Sequence, residues 1–585
     1  MTGETCQNGT HARQRVRSGL TILAFGLCLG AVTAARAETA PVDSLSVGEI
    51  QIRQRSIFSA EEEQSGTLLV GTVRRLMNRL HFNTRKWVIR RELLFRTGEP
   101  LRPNLLAETE RNLRTLGFLN DIRVQPTDTL AGGRVPVEVS LRESWSLRTD
   151  FSYTQASGGD SRWNVQMSDN NFLGYGVTMG AGVGGDEDAG FWNLWYRQRR
   201  FLGTELYFGM DDRERDDGYI REIFIHRPFW AEGDRWGLET RYWDHSLNER
   251  YYLSNGGPAG VDPERPSSLY ALLSRREKGA EISVLLRAGR SDEGRIWRPG
   301  LGARWTETRL DPGAGSRVLS DGCVMDLAWL AGPDQPLGRD DGTTVWPYFR
   351  LHTRGRGWTK ERFILHYGAV EDINLTPVAD VKVGPVLAAL GTDTASGEDR
   401  WRAEGIWEQW VVSGPGVILL HGSAEAEWGA AAADYHRYSL LAGWMGHWGA
   451  EDTPWLTRAF AEYGHGQALV GSRAFTLGLD QGLRTLEFDG MAGDRLLRWT
   501  LEEGKVLPGE MLGMFRYGLG AFFASGAAWW QDEDRDSGDA RHEVGFGLRF
   551  GPTRSANAAT GRIDVVWDLD HGDGPVLTAT TQGFF

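Results

Sequence analysis

The chain has 585 residues, 24% of them charged and 41% hydrophobic, with a formal net charge of −13. Its 75 Gly, 24 Trp, 24 Phe and 15 Tyr are poor helix material and good material for twisted, turn-rich sheets, which excludes an all-helical fold. An acidic balance with scattered basic residues leaves no electrostatic footprint for nucleic acid.

Arg13, Arg15 and Arg17 precede an apolar run from Gly19 to Val32, and Ala35-Arg36-Ala37 follows as a small-x-small site. This is the pattern of an export signal covering residues 1–37, with Glu38 as the expected mature start. The apolar run is too short to span a bilayer. Phe25-Gly26-Leu27 lacks a small residue directly before Cys28, which argues against a lipid anchor there. Removing Arg13, Arg15, Arg17, Arg36 and Glu4 takes the net charge from −13 to −16 and leaves Cys323 as the only cysteine. An exported fold then has neither an internal disulfide nor a cysteine metal cluster to hold it. No later stretch reaches about 18 consecutive apolar residues. Such a chain is periplasmic, secreted or an outer-membrane barrel.

A small α/β domain is expected over residues 38–145. Ile50 and Ile52 alternate with polar residues as a first strand. Thr84 is the expected N-cap of a helix whose Trp87, Val88, Leu94 and Phe95 share an arc of roughly 120° at 100° per residue. Pro103 opens a second helix carrying Leu105, Leu106, Thr109, Leu113 and Leu116 on one face, and Gly117 ends it. Ile122 and Val124 form a second strand. Val135, Val137, Val139 and Leu141 alternate through a third. The order is β-α-α-β-β, with residues 54–83 inserted after the first strand.

The segments TRKWVIRRELLFRTGEPL (Thr84–Leu101), ERNLRTLGFLNDIRV (Glu110–Val124) and VPVEVSLRESWSL (Val135–Leu147) resemble a POTRA domain, the periplasmic module of the BamA/TamA outer-membrane family. Residues 38–145 carry a small positive balance, whereas the rest of the mature chain is strongly acidic.

From Trp145 the period becomes two. Trp145, Leu147, Thr149, Phe151 and Tyr153 take one face, and Ser146, Arg148, Asp150 and Ser152 the other. The alternation recurs at Trp163-Val165-Met167, Leu206-Phe208-Met210, Trp236-Leu238-Thr240-Tyr242 and Ile563-Val565-Trp567. Charge at the polar positions and Trp or Tyr near strand ends fit strands with lipid on one side and a polar lumen on the other. In hydrocarbon such a sheet must close. The expected fold is mainly β: a transmembrane antiparallel barrel over residues 146–585, of about sixteen strands at roughly 27 residues each, preceded by the α/β domain. The chain ends in Phe585, a terminal aromatic of the kind that marks outer-membrane barrels.

The family resemblance continues here. DNNFLGYG (Asp169–Gly176) resembles its early-barrel segment. Gly482–Leu507 resembles its long loop that folds back into the lumen, and Phe522–Gly526, Val544–Pro552 and Gly561–Leu569 resemble the strands that follow. Two departures stand out. The loop keeps Arg484 but has Thr485 and Leu486 in place of Gly and an aromatic, and the position of a family Asp is Ala524. A buried arginine needs an acid to offset its desolvation. Asp494 and Glu502 are the expected substitutes, the alternative being that Arg484 sits in a solvated loop.

The resemblance implies a protein that handles client polypeptides. An edge strand of the POTRA-like domain (Asp121, Ile122, Arg123, Val124, Gln125) would add a client strand through backbone hydrogen bonds. A barrel seam between Leu147, Thr149 and Phe151 on one side and Leu577, Ala579 and Phe585 on the other would open laterally. The expected partners are the outer-membrane lipid bilayer, client polypeptides and periplasmic or outer-membrane accessory proteins. A dedicated exporter or solute pore is the alternative, and a barrel-embedded hydrolase the third reading. Asp244-His245, Asp434-Tyr435-His436 and Asp570-His571 lie in no hydrolase motif, and no HExxH, P-loop or EF-hand pattern occurs. No enzymatic activity, cofactor or metal is expected.

Overall fold

The computed structural model describes residues 45–581 except 128–132, 156–160, 187–188, 253–269, 290–293, 312–316, 320–341, 368, 389–399, 430–434, 470–472, 480–481, 487–489, 512, 532–539, 556–559 and 573. The expected export signal (1–37) and the terminal Phe585 lie outside the described residues.

The N-terminal α/β unit is a three-stranded sheet in the order β1 (Ser46–Arg55), β3 (Arg134–Glu143), β2 (Leu119–Pro126). β1 runs parallel to β3, and β2 antiparallel to it. Alternation along β3 buries Val135, Val137, Val139 and Leu141. They pack against Ile89 of helix α3 (Lys86–Glu92) and Leu106 and Leu113 of α4 (Pro103–Arg114). Pro103 occupies the first turn of α4 as expected. The N-cap of α3 is Arg85, and Thr84 has another task described below. Residues 54–83 fold into two further helices, α1 (Ala60–Gln64) and α2 (Leu68–Leu80). Ser59 starts α1 with a capping box: Glu62 N–H donates to Ser59 Oγ at 3.2 Å, and Ser59 N–H to Glu62 Oε2 at 2.8 Å.

From Leu147 the chain closes into an antiparallel barrel of 20 strands, from Leu147–Gln155 to Val576–Thr580. This corrects the expected sixteen. The six strands between Leu147 and Arg227 are only nine or ten residues long and are joined by short turns, so 27 residues per strand was too generous a divisor. A short segment, Arg317–Leu319, extends the ladder of Tyr270–Leu286.

Side chains alternate across the wall. On Arg495–Val506, Leu497, Trp499 and Leu501 are exposed on the outside, while Arg498 and Glu502 pair with charges of other strands inside. Trp163, Val165 and Met167, and Phe546 and Leu548, repeat the outward pattern. An apolar exterior around an ion-paired interior is stable when hydrocarbon, not water, surrounds the sheet. No described helix is long and apolar enough to cross a membrane.

Because the first strand begins where the α/β unit ends, turns that join even-numbered to odd-numbered strands share the domain's end of the barrel. One of them, residues 356–377, holds a two-stranded hairpin (Trp358–Glu361 with Glu371–Asn374). From the far end, the described residues between Gln467 and Arg495 form a loop with its own short pairing, Phe475–Leu477 with Met491–Gly493.

Candidate functional site: lumen, seam and docked domain

The far-side loop enters the lumen. Leu477, Leu483 and Met491 are buried against Phe522, Ala524 and Val566 of the late strands. At its tip, Arg484 Nη1 lies 3.0 Å from Glu543 Oε1 and its guanidinium stands 4.5 Å from the Phe522 ring centroid. Glu543 is fully buried. Its other oxygen accepts the backbone N–H of Arg484 (2.7 Å) and of Thr485 (3.1 Å) and the Thr485 hydroxyl (3.3 Å). These donors offset the desolvation of the pair. Arg484 thus faces an acid other than the Asp494 or Glu502 expected. Asp494 instead pairs with Arg495 and accepts the Gln531 N–H, and Glu502 binds Arg549 and Arg562. Glu543 is the direct cross-strand neighbour of Ala524. The acid missing at Ala524 is therefore present one strand over, on a side chain one methylene longer than Asp.

Beneath the loop a second ionic layer crosses four late strands. Arg549, fully buried, donates to Glu502 at 2.9 Å and to Asp564 at 2.5 Å, and Arg562 reaches Glu502 at 3.3 Å. Gly520 makes room for it, since a Cβ there would stand 2.9 Å from Arg549 Nε. Arg458 donates to the carbonyl of Ile364, in the domain-side hairpin, at 3.2 Å.

That hairpin closes the lumen from the domain's end. Phe363, Ile364 and Tyr367 are buried, and Glu371 accepts the N–H groups of Leu365 and His366 at 2.9 Å each. Its other ties run to α4. Arg114 forms a bidentate pair with Asp372 (2.6 and 2.8 Å), and Lys360 Nζ lies 2.6 Å from Glu110 Oε1. Trp358 Nε1 donates to Glu232 at 3.2 Å, and Arg111 stacks 4.9 Å over Trp358. Two acids two residues apart on α4 are pushed in opposite directions. Burial, with the neighbouring Glu232 carboxylate, raises the Glu108 carboxyl to about 7. Burial also opposes ionisation of Glu110, but hydrogen bonds from Lys360 and Arg114 hold it below the usual carboxylate range.

The α/β unit docks on two turns that repeat the tripeptide Phe-Leu-Gly, Phe172–Gly174 and Phe201–Gly203, each with its leucine left-handed (Leu173 φ +52°, Leu202 φ +51°). DNNFLGYG is therefore mainly a turn between the second and third barrel strands. Gly174 (φ +77°) accepts the Arg85 N–H at 3.0 Å, and a Cβ there would stand 2.4 Å from the Asn83 carbonyl. Buried Asn171 donates to the Thr84 hydroxyl at 2.8 Å. Thr84 in turn gives its N–H (3.0 Å) and hydroxyl (2.9 Å) to Glu143, a fully buried carboxylate that also accepts Gln54 and contacts His81. The second turn meets the other end of α3: Arg199 bonds Asn112 at 2.7 Å, and Arg199 and Arg200 approach Glu92.

The seam is short. Val576–Thr580 pairs with Leu147–Gln155 at three positions, Thr578 with Thr154, Ala579 with Tyr153 and Thr580 with Ser152, while the next ladder, to Ser161–Asp169, has nine. Thr581 adds an N–H bond to the Phe151 carbonyl at 3.1 Å. Of the expected seam residues, Ala579 pairs with Tyr153 across the seam and Phe151 accepts the Thr581 N–H; Leu147 and Thr149 pair only with the second strand among the described residues, and Leu577 pairs with Val565. Below the seam, Trp145 N–H donates to the Arg554 carbonyl at 2.8 Å, and Arg554 pairs with Glu62 of α1 at 2.9 Å.

β2, with Asp121, Ile122, Arg123, Val124 and Gln125, lies at one edge of its sheet and β1 at the other. A bulge falls between Asn120 and Arg123, and Asp121 is left-handed (φ +49°). Glu110 accepts the Val124 N–H at 3.3 Å, so one donor of this edge is already engaged.

No protein-family model and no curated protein matches the chain. Solved structures similar to it include BamA from Haemophilus ducreyi lacking POTRA domains 1–3, at 10% identity and a TM-score of 0.38, covering 91% of this chain and 84% of that one. CdiB from Acinetobacter baumannii gives 11% identity and a TM-score of 0.39, covering 92% and 73%. CdiB from Escherichia coli gives 12% and 0.39, covering 92% and 76%.

Sequence reasoning passed over Glu543, Glu143, the Arg549 layer and the hairpin at Trp358–Asn374. The Phe-Leu-Gly repeat was visible in the sequence. Glu543 could have been found by registering the late hairpin on Ala524. Nothing local marks Glu143 as the centre of a junction.

Proposed function

We propose that this protein is an outer-membrane β-barrel that handles client polypeptides, inserting or translocating them, as the BamA/TamA resemblance implies. In this reading the α/β unit is a POTRA domain on the periplasmic side, and the seam between the first and last strands opens to receive a client strand. The observation that carries the proposal is that, among the described residues, the seam pairs at three positions whereas the adjoining ladder pairs at nine. A ladder with fewer pairs leaves fewer backbone groups to part, and a client strand would take up those that hydrocarbon cannot satisfy. The lumen favours the seam over a standing pore, because the far-side loop and the domain-side hairpin both occupy it. Capture at β2 requires Glu110 to release the Val124 N–H, which couples client binding to the Lys360 and Arg114 contacts. The action is non-covalent, and no catalytic step is assigned.

A dedicated exporter has one observation in its favour. A polar cavity of about 450 Å³ in the lumen is lined by Arg213, Arg458, Arg484, Arg498 and Arg562 together with the acids Asp186, Glu462 and Glu502, a space that a dedicated cargo could enter. Depletion of the protein followed by outer-membrane proteomics separates the readings. Broad loss of barrel proteins is the expected result, loss of one exported protein would indicate the exporter, and an unchanged proteome would reject both.

A further inference from the structure

Between Leu68 and Arg91 the chain carries seven Arg and Lys residues and no Asp or Glu, in a protein whose acids outnumber its Lys and Arg by 78 to 65. The segment spans α2, the connection through Phe82, and most of α3. At 100° per residue, Leu69, Leu76 and Leu80 fall within about 40° of one another on α2. They are 67%, 53% and 58% exposed, and Phe82 just beyond the helix is 58% exposed. Other faces of α2 explain how it is held but not this stripe. Met77 packs on Met514 with Ile57 and Phe58, Gly71 backs onto α1, and Arg74 donates to the Glu62 carbonyl at 2.6 Å. Arg74 also lies against Gly513, where a Cβ would stand 2.3 Å from its Nη2. Gly513 and Met514 belong to the domain-side turn beneath Phe515–Trp529, so α2 is pressed to the rim of the barrel with a leucine stripe left uncovered.

The rim beside it has the same character. Leu173 and Leu202, at the tips of the two docking turns, are exposed, as is Met511. Arg85 stacks 4.0 Å over Tyr175, and Arg91 stacks 4.2 Å over Trp87. Aromatic and apolar bodies with cationic heads beside them suit the boundary of a bilayer, where the body enters the acyl edge and the head stays at the phosphates. A basic amphipathic helix with low overall hydrophobicity binds in the plane of such a surface. We propose that Leu68–Arg91 is a membrane-interface surface that lies on the anionic phospholipid leaflet adjoining the domain's end of the barrel, continuous with the outward belt that begins at Tyr517 and Leu519. It rests on the barrel being embedded in a bilayer. The run of cations without one acid, set beside an uncovered leucine stripe, favours lipid, because an anionic leaflet attracts each cation while its acyl edge takes the leucines.

The test uses the full mature protein in bilayers containing phosphatidylglycerol, with Cys323→Ser and an environment-sensitive dye on Leu76→Cys or Leu80→Cys. Leu519→Cys reports barrel insertion, and Gln125→Cys on β2 reports water. With spin-labelled lipid present, dyes at 76 and 80 should emit blue-shifted and lose most of their emission, like 519 and unlike 125. Arg75→Glu with Arg79→Glu, or purely zwitterionic lipid, should reverse much of that loss. If 519 is quenched while 76 and 80 behave like 125, the proposal is overturned and the barrel reading stands. If 519 is also unquenched, the barrel is not embedded and the proposal falls with it. A blue shift at 76 and 80 that appears only on adding an unfolded barrel polypeptide would reassign the surface to clients and likewise overturn it.

Discussion

Two hairpins enter the barrel from opposite ends and are held in different ways. The far-side loop is fixed to the wall, by Arg484 on a fully buried Glu543. The domain-side hairpin packs Phe363, Ile364, Tyr367 and Ile373 on wall residues such as Val417, Leu456 and Phe460, but carries its paired charges, Asp372 and Lys360, to helix α4 of the docked domain. The difference separates a plug from a lever. The loop can leave only by breaking a desolvated ion pair, whereas the hairpin's ion pairs are shared with the domain.

The wall attachment should give the largest effect when broken. Arg484→Ala or Glu543→Ala leaves an uncompensated buried charge and should cost about 3–5 kcal/mol. The loss is read as a lower temperature at which the folded, fast-migrating barrel disappears on unheated gels. Arg484→Lys should recover only part of it, because a point cation lacks the guanidinium fork. Adding Ala524→Asp to Glu543→Ala should restore much of the stability, since the acid returns to the cross-strand neighbour. Unaltered heat resistance in Arg484→Ala would mean that the loop is held by its apolar contacts alone.

The lever should respond more mildly. Arg114→Ala removes a partly exposed bidentate contact and should weaken docking of the hairpin on α4 by about 2 kcal/mol, seen as faster hydrogen exchange over residues 358–374. Docking of α4 on the barrel turn that carries Glu232, read as hydrogen exchange over residues 228–235, should also depend on pH through Glu108, which accepts the Glu232 N–H. Its carboxyl is raised to about 7 when buried beside Glu232 and returns to the ordinary range near 4.5 when undocked. The docked state binds the extra proton between those values, so docking should weaken as pH rises from about 5 to 7 and change little above. The span corresponds to roughly 1–3 kcal/mol. Glu108→Gln should flatten the profile, and a slope that persists in the variant would place the titrating group elsewhere. Smallest of all, Lys360→Ala removes an exposed pair and should cost no more than about 0.5 kcal/mol, in the exchange measurement over residues 358–374.

Alternation made the barrel readable, because Trp163, Val165 and Met167 must share a face wherever the strand lies. The strand number was not readable, since it depends on turn lengths such as that at Asp216-Asp217, and alternation is silent on them. Arg484 was recognisable from its loop, but its acid lies 59 residues away on a strand whose register local sequence does not state. The helix expected from Thr84 starts one residue later than a capping rule places it, because the Thr84 hydroxyl serves Glu143 and Asn171 across the junction. In each case tertiary pairing decided what local chemistry left open.

Plug and lever matter for function only if the seam between them parts. Ala579 and Tyr153 are directly paired across it, so Ala579→Cys with Tyr153→Cys in a Cys323→Ser background can lock the seam under oxidation. The account predicts that the oxidised protein inserts normally but no longer supports assembly of outer-membrane barrel proteins in depleted cells, and that reduction restores it. Full activity with the seam shown to be cross-linked would contradict lateral opening and return the client pathway to the lumen.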